Sequence, residues 1–130
     1  MIYLGLFYYK GQGVEQDYNK AKEYYERATE LGNSDAMINL GFLYDKGQGV
    51  EQDYKKAKEY YEQAAELGNS DAMIYLGLFY YKGQGVEQDY NKAKEYYERA
   101  TELGNSDAMI NLGFLYDKGQ GVEQDYKKAK

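Results

Sequence analysis

Four glycine pairs are the first residues whose type and spacing could do chemistry: Gly11-Gln12-Gly13, Gly47-Gln48-Gly49, Gly83-Gln84-Gly85 and Gly119-Gln120-Gly121. A dinucleotide-binding turn needs a third glycine three residues on, after a strand, so that backbone can approach a pyrophosphate. Gln16 holds that place in the first copy, and no Gly-Lys-Ser/Thr ending supplies a P-loop. The pairs therefore read as turns. Glu15, Asp17 and Asp45 have the right type for calcium or acid–base work, but their spacing does not match a twelve-residue calcium loop. Asp17 is placed to cap a helix. Serine occurs only at Ser34, Ser70 and Ser106 and histidine is absent, so no Ser-His relay can be assembled. With no cysteine there is neither a disulfide nor a thiolate metal site, which leaves the compartment open. The chain reads as non-enzymatic, without cofactor and without metal.

Tyrosine, present 18 times, is the other distinctive residue. Tyr8, Tyr24 and Tyr25 fall on faces expected to pack in the core. A second strip consists of Ile2, Leu6 and Tyr9, at i, i+4 and i+7 of one helix, on a different face from Leu4, Gly5 and Tyr8. The strip recurs as Ile38, Phe42 and Asp45, as Ile74, Leu78 and Tyr81, and as Ile110, Phe114 and Asp117.

The elements that carry these side chains are repeats. Residues 1–58 recur letter for letter at 73–130, a period of 72. Within it lies a period of 36, marked by Gly5, Gly41, Gly77 and Gly113. A fixed period of that size is the mark of a solenoid or array, in which each unit touches only its neighbours. The units are 1–36, 37–72, 73–108 and the partial 109–130, one continuous array. Odd and even units differ at seven places: Tyr3/Asn39, Leu6/Phe42, Phe7/Leu43, Tyr9/Asp45, Asn19/Lys55, Arg27/Gln63 and Thr29/Ala65.

Each unit reads as two helices. Asn33 or Ser34 caps helix A, which runs through Ala36–Asp45, and Gly47 and Gly49 end it. Asp53 caps helix B, Tyr54–Leu67, and Gly68 follows as the terminating glycine. Tyr54, Ala57, Tyr60, Tyr61, Ala64 and Ala65 form one apolar face of helix B. Charges fill the other, with Lys58–Glu62 and Glu23–Arg27 spaced as i,i+4 pairs. Gly41 in mid-helix costs about 1 kcal/mol against alanine. A close helix contact is expected there, with Ala21, Ala28, Ala57 and Ala64 as the small partners. The chain has no proline, which fits an all-α fold.

The pattern Ala36-x-x-x-Leu40-Gly41-x-x-Tyr44-x-x-Gly47-x-Gly49-Val50-x-x-Asp53-x-x-Lys56-Ala57-x-x-Tyr60-Tyr61-x-x-Ala64-Ala65-x-x-Gly68 resembles the SEL1-like repeat, a 36-residue relative of the tetratricopeptide repeat. The resemblance covers the whole chain. It implies a right-handed α-α superhelix, a solenoid of antiparallel helix pairs, acting as a scaffold for other proteins. Many bacterial relatives carry a cysteine pair per repeat. This chain has none, so their disulfide-stapled, secreted context does not carry over. In a tetratricopeptide-like superhelix the strip Ile2, Leu6, Tyr9 and its copies would line the concave groove. That makes Ile2, Leu6, Tyr9, Ile38, Phe42, Asp45, Ile74, Leu78, Tyr81, Ile110, Phe114 and Asp117 the candidate protein-binding residues.

Two functions are consistent with such an array. One is an adaptor that binds a protein or peptide along helix A. The other is a structural solenoid that assembles with copies of itself into a filament. The net charge of −6 shows no basic stripe, which disfavours nucleic acid and anionic membranes. No apolar run approaches the roughly 18 residues of a membrane span. The chain begins inside a helix A and stops one turn into a helix B, with no polar capping unit. These residues therefore read as a window on a longer array, with a continuation copying Glu59 to Ala65.

Overall fold

A computed structural model describes residues 17–119, and all the elements among them are helices. They are α1 (Tyr18–Glu30), α2 (Ser34–Lys46), α3 (Tyr54–Glu66), α4 (Ser70–Lys82), α5 (Tyr90–Glu102) and α6 (Ser106–Lys118). Odd-numbered helices are the B type and even-numbered helices the A type. The chain divides into two compact units, Met1–Asn69 and Ser70–Lys130. The first contains α1 to α3 and the second α4 to α6.

Caps set the helix ends. The Asp17 carboxylate accepts from the backbone N–H groups of Asn19 and Lys20 at 3.0 and 3.2 Å. Asp53 and Asp89 accept from Lys56 and Lys92, both at 3.1 Å. On α2 the cap is Asn33, whose side-chain oxygen accepts from Ala36 N–H at 3.0 Å; Ser34 is already helical. Helix B ends one residue before the expected Leu67. There Gly68 turns left-handed at φ 84°, its N–H bonds the Ala65 carbonyl, and the Asn69 N–H reaches back to Ala64. These two bonds close a Schellman cap.

The glycine-containing loop is a second cap, for the A helix before it. Carbonyls in the last turn of a helix have no partner within it. Here the loop folds back to supply them. Gln48 N–H donates to Leu43 and Asp53 N–H to Tyr44, each at 2.9 Å, and the Gln52 side-chain amide donates to the Asp45 carbonyl at 2.7 Å. The same bonds recur after α4, where Gln88 donates to the Tyr81 carbonyl at 2.8 Å. This return sets α2 and α3 antiparallel, and likewise α4 and α5. Gly49 combines positive φ, 73°, with close approach: a Cβ there would lie 3.2 Å from the backbone carbon of Tyr18, at the start of α1.

In the first unit α2 lies between α1 and α3. Ala21, Tyr25 and Ala28 of α1 meet Ala36, Leu40 and Leu43 of α2, with Tyr18, Val50 and Tyr60 at the margin. In the second unit α5 packs against both α4 and α6. Small alanines let the helices approach, and a buried tyrosine on each B helix, Tyr25, Tyr61 or Tyr97, fills the remaining space. The partner of Gly41 departs from the sequence expectation. Ala57 and Ala64 are buried, but the atoms over Gly41 belong to the Tyr61 ring, whose Cδ1 and Cζ would lie 2.8 and 2.9 Å from a Cβ. Gly77 receives the Tyr97 ring in the same way. The glycine thus makes room for a flat aromatic ring rather than for a second backbone.

On the outer face of helix B the Lys58–Glu62 pair forms at 3.5 Å, and Lys22–Glu26 at 3.8 Å. Arg27 lies with its guanidinium 5.6 Å from the Tyr24 ring centre. Of the three tyrosines expected in the core, Tyr25 is buried, Tyr24 is partly buried and Tyr8 lies outside the described residues.

Candidate functional site

The candidate residues all belong to A helices. Ile2, Leu6 and Tyr9 lie outside the described residues. Ile38 and Ile74 are buried, at 7% and 8% exposure, beside the equally buried Met37 and Met73. Ile110, on α6, is 69% exposed. Phe42, Asp45, Leu78 and Tyr81 are partly buried, while Phe114 and Asp117 are exposed. Phe42 sets its edge against Tyr61, ring centres 6.1 Å apart at 74°.

The open side of the A helices is therefore a slightly different stripe. On α2 it runs Asp35, Asn39, Phe42 and Lys46, spaced i, i+4, i+7 and i+11. On α4 it runs Asp71, Tyr75, Leu78 and Lys82. Asp45 and Tyr81 stand beside it. Each A helix thus presents a carboxylate near its N-terminus, an ammonium at its C-terminus and half-open side chains between them. That order also complements the helix dipole.

In the second unit, side chains join neighbouring A helices along this stripe. Asn105 caps α6 by accepting from Asp107 and Ala108 N–H at 3.0 and 3.2 Å. Its amide nitrogen donates back to Ser70 Oγ at 3.0 Å and Asp71 Oδ1 at 2.9 Å. One amide thus ends one helix and ties it to the start of the previous A helix. Asn69 makes the same joint in the first unit, to Ser34 and Asp35. Further along, Tyr81 meets Phe114 edge-on at 6.5 Å and Tyr90 at 5.3 Å. Lys118 holds its ammonium 5.3 Å from the Phe114 ring centre.

Burial pushes the Tyr75 phenol up from its ordinary value, and the carboxylates of Asp71 and then Asp107 add to the shift. Burial likewise raises Tyr97, with Tyr81 contributing, and raises Tyr60, with Tyr44, Glu26 and Glu59 contributing. These phenols stay neutral, and so remain hydrogen-bond donors, well beyond neutral pH. On the A/B interface Tyr44 stacks on Tyr60 at 5.8 Å and Tyr80 on Tyr96 at 5.9 Å. Lys56 and Lys92 cover Tyr44 and Tyr80 at 5.1 and 5.2 Å. Among the described residues no group of three or more histidines, cysteines, aspartates or glutamates is placed to hold a metal ion. No helix among them is long and apolar enough to cross a membrane. The surface offers phenols, amides and charges of both signs, which is chemistry for recognition.

Three participants escape the sequence reading. Asn69 and Asn105 as joints between repeats require knowing that residues 34 to 35 positions apart meet. Tyr75 could have been found, because Tyr3/Asn39 is one of the odd–even differences. Gln52 and Gln88 were hidden by the loop's resemblance to an ordinary turn.

The Sel1 repeat family model matches residues 1–33, 34–69, 70–105 and 106–130. The crystal structure of a Sel1 repeat protein from Oxalobacter formigenes superposes with a TM-score of 0.92 at 39% identity, over 98% of this chain and 52% of that one. A protective antigen present in uropathogenic Escherichia coli strains, displaying an SLR fold, matches with TM-score 0.89 at 37% identity over 98% and 29%. Cysteine rich protein B of Helicobacter pylori matches with TM-score 0.67 at 34% identity over 72% and 71%. The chain spans about half of the first of these proteins and under a third of the second. No curated protein matches the chain in sequence.

Proposed function

The chain belongs to the Sel1 repeat family, and from that premise we propose that it binds a protein partner through the open stripe of its A helices. The family fold is an α-solenoid of helix pairs, generally a scaffold for protein–protein interaction, and the matched family is not a catalytic one. The observation that carries the finer reading is where the repeats differ. On the A helices they differ at Asn39/Tyr75, Phe42/Leu78, Leu43/Phe79 and Asp45/Tyr81. Three of these four positions are partly open; only Leu43/Phe79 is buried. Packing requirements do not explain changes of chemistry, amide to phenol and carboxylate to phenol, on side chains that reach solvent. Aromatic anchors in half-open sites suit a protein partner.

The test compares three immobilised proteins exposed to a cell lysate. They are the parent, a variant with Phe42→Ser, Leu78→Ser and Phe114→Ser, and a helix B variant with Lys58→Ser and Glu62→Ser. Proteins retained by the parent and the helix B variant but lost from the helix A variant support the reading. Retention unchanged in the helix A variant overturns it.

A further inference from the structure

We propose that the seam between α4 and α6 is a recognition cell for an extended peptide segment that presents a basic residue, an aromatic or branched aliphatic residue three positions on, and an acidic residue two positions after that. The proposal rests on the reading that the A helices bind protein, and it names the chemistry of the partner.

The seam has a direction. At one end are two exposed carboxylates, Asp71 and Asp107, with the half-buried Tyr75 phenol close enough for both to act on it. Asp71 also accepts from Asn105, which holds the two helix starts together. In the middle Tyr81 meets Phe114 and Tyr90, beside the half-buried Leu78. Phe114 leaves 48% of its surface open. At the other end stand the exposed Lys82 and Lys118.

Complementarity follows from that order. A lysine or arginine of the partner suits the Asp71–Tyr75–Asp107 end, and an acidic side chain suits the Lys82–Lys118 end. A nucleic-acid backbone, negative throughout, would be repelled at the first end. An apolar side chain between them would cover the Tyr81–Phe114 rings. Asp71 to Lys82 spans eleven helical steps, about 16 Å. An extended chain advances about 3.3 Å per residue. Six consecutive residues therefore cover the seam, and the spacing basic-x-x-apolar-x-acidic follows.

The alternation of the repeats confines this cell to every second A helix. Where α4 has Tyr75 and Tyr81, α2 and α6 have Asn39 and Asp45, and Asn111 and Asp117. Tyr75→Asn with Tyr81→Asp therefore writes the even repeat into the odd one, with side chains this helix type already carries.

The test pans the immobilised 130-residue protein against a phage-displayed library of random dodecapeptides and measures the selected peptides by fluorescence polarisation. The expected consensus is basic-x-x-apolar-x-acidic, with affinity at least tenfold weaker for the Tyr75→Asn/Tyr81→Asp variant. Circular dichroism matching the parent confirms that the variant is folded. Selected peptides without that order of charges, or bound equally by the variant, overturn the cell. If such peptides lose binding when Phe42 and Leu78 become serine, the broader helix A reading stands without it. An unenriched library overturns the cell, and the lysate comparison then judges the helix A reading separately.

Discussion

Helices α2 and α6 are the same thirteen residues, Ser-Asp-Ala-Met-Ile-Asn-Leu-Gly-Phe-Leu-Tyr-Asp-Lys, in two settings. Their local structure is the same. An asparagine caps each, and a left-handed glycine at φ 67° ends each. Their burial is not the same. Met37 and Ile38 are 6% and 7% exposed, whereas Met109 and Ile110 are 47% and 69% exposed. Only Ala108 and Leu115 stay buried on α6, and they correspond to Ala36 and Leu43, which face α1. So the side turned to the preceding B helix is closed in both, since α5 stands to α6 as α1 stands to α2. The other side is closed only on α2, where α3 brings Tyr61. The teaching is that a repeat helix carries two packing faces, each completed by a different neighbour.

The largest test of this comparison removes the second neighbour's ring. Tyr61→Ala empties the site over Gly41 and beside Phe42, and the loss of stability is expected to be about 3–5 kcal/mol. Urea unfolding followed by circular dichroism measures it. A loss below about 1 kcal/mol would mean that the ring merely rests on α2.

A paired substitution sharpens the contrast. Ile38→Ala should cost about 2–4 kcal/mol, as expected for a buried aliphatic residue, and Ile110→Ala within about 0.5 kcal/mol, as expected for an exposed one. Equal losses in chemical unfolding would break the distinction between the two settings.

The smallest effect appears at high pH. Tyr60, Tyr75 and Tyr97 have phenols raised above their ordinary value of 10.0 by burial. The unfolded chain therefore loses these protons first, and binds fewer protons than the folded chain once pH passes 10. Stability should be intact below pH 10 and decline above it. Thermal unfolding between pH 8 and 11 reads the decline, and Tyr97→Phe should make it shallower. A variant that declines as steeply as the parent would remove Tyr97, the ring over Gly77, from the account.

Much of the architecture was legible because its causes are local. Asp53 as a cap, Gly47 and Gly49 at positive φ and Gly68 in the terminating turn each follow from bonds within a few residues. The 36-residue period identified the fold class, and the family matches agree with it. The reading of Gly41 was half right: a close contact was legible, but its partner was not. Alanine and tyrosine both lie on the apolar face of helix B, and only packing decides which of them stands over the glycine. The candidate strip met the same difficulty. Ile38 and Asn39 are adjacent in the sequence, about 100° apart around the helix, and one closes while the other stays half-open.

The sequence by itself determined the repeat, the helix ends, the caps and the places where odd and even units differ. All of these depend on hydrogen bonds and periodicities contained within one unit. Tertiary structure alone decided that Tyr61 covers Gly41, that Asn105 ties α6 to α4, and that Tyr81 meets Phe114. Those contacts join residues 20 to 35 positions apart. Identical letters, such as Ile38 and Ile110, cannot reveal them, because burial is a property of what packs alongside.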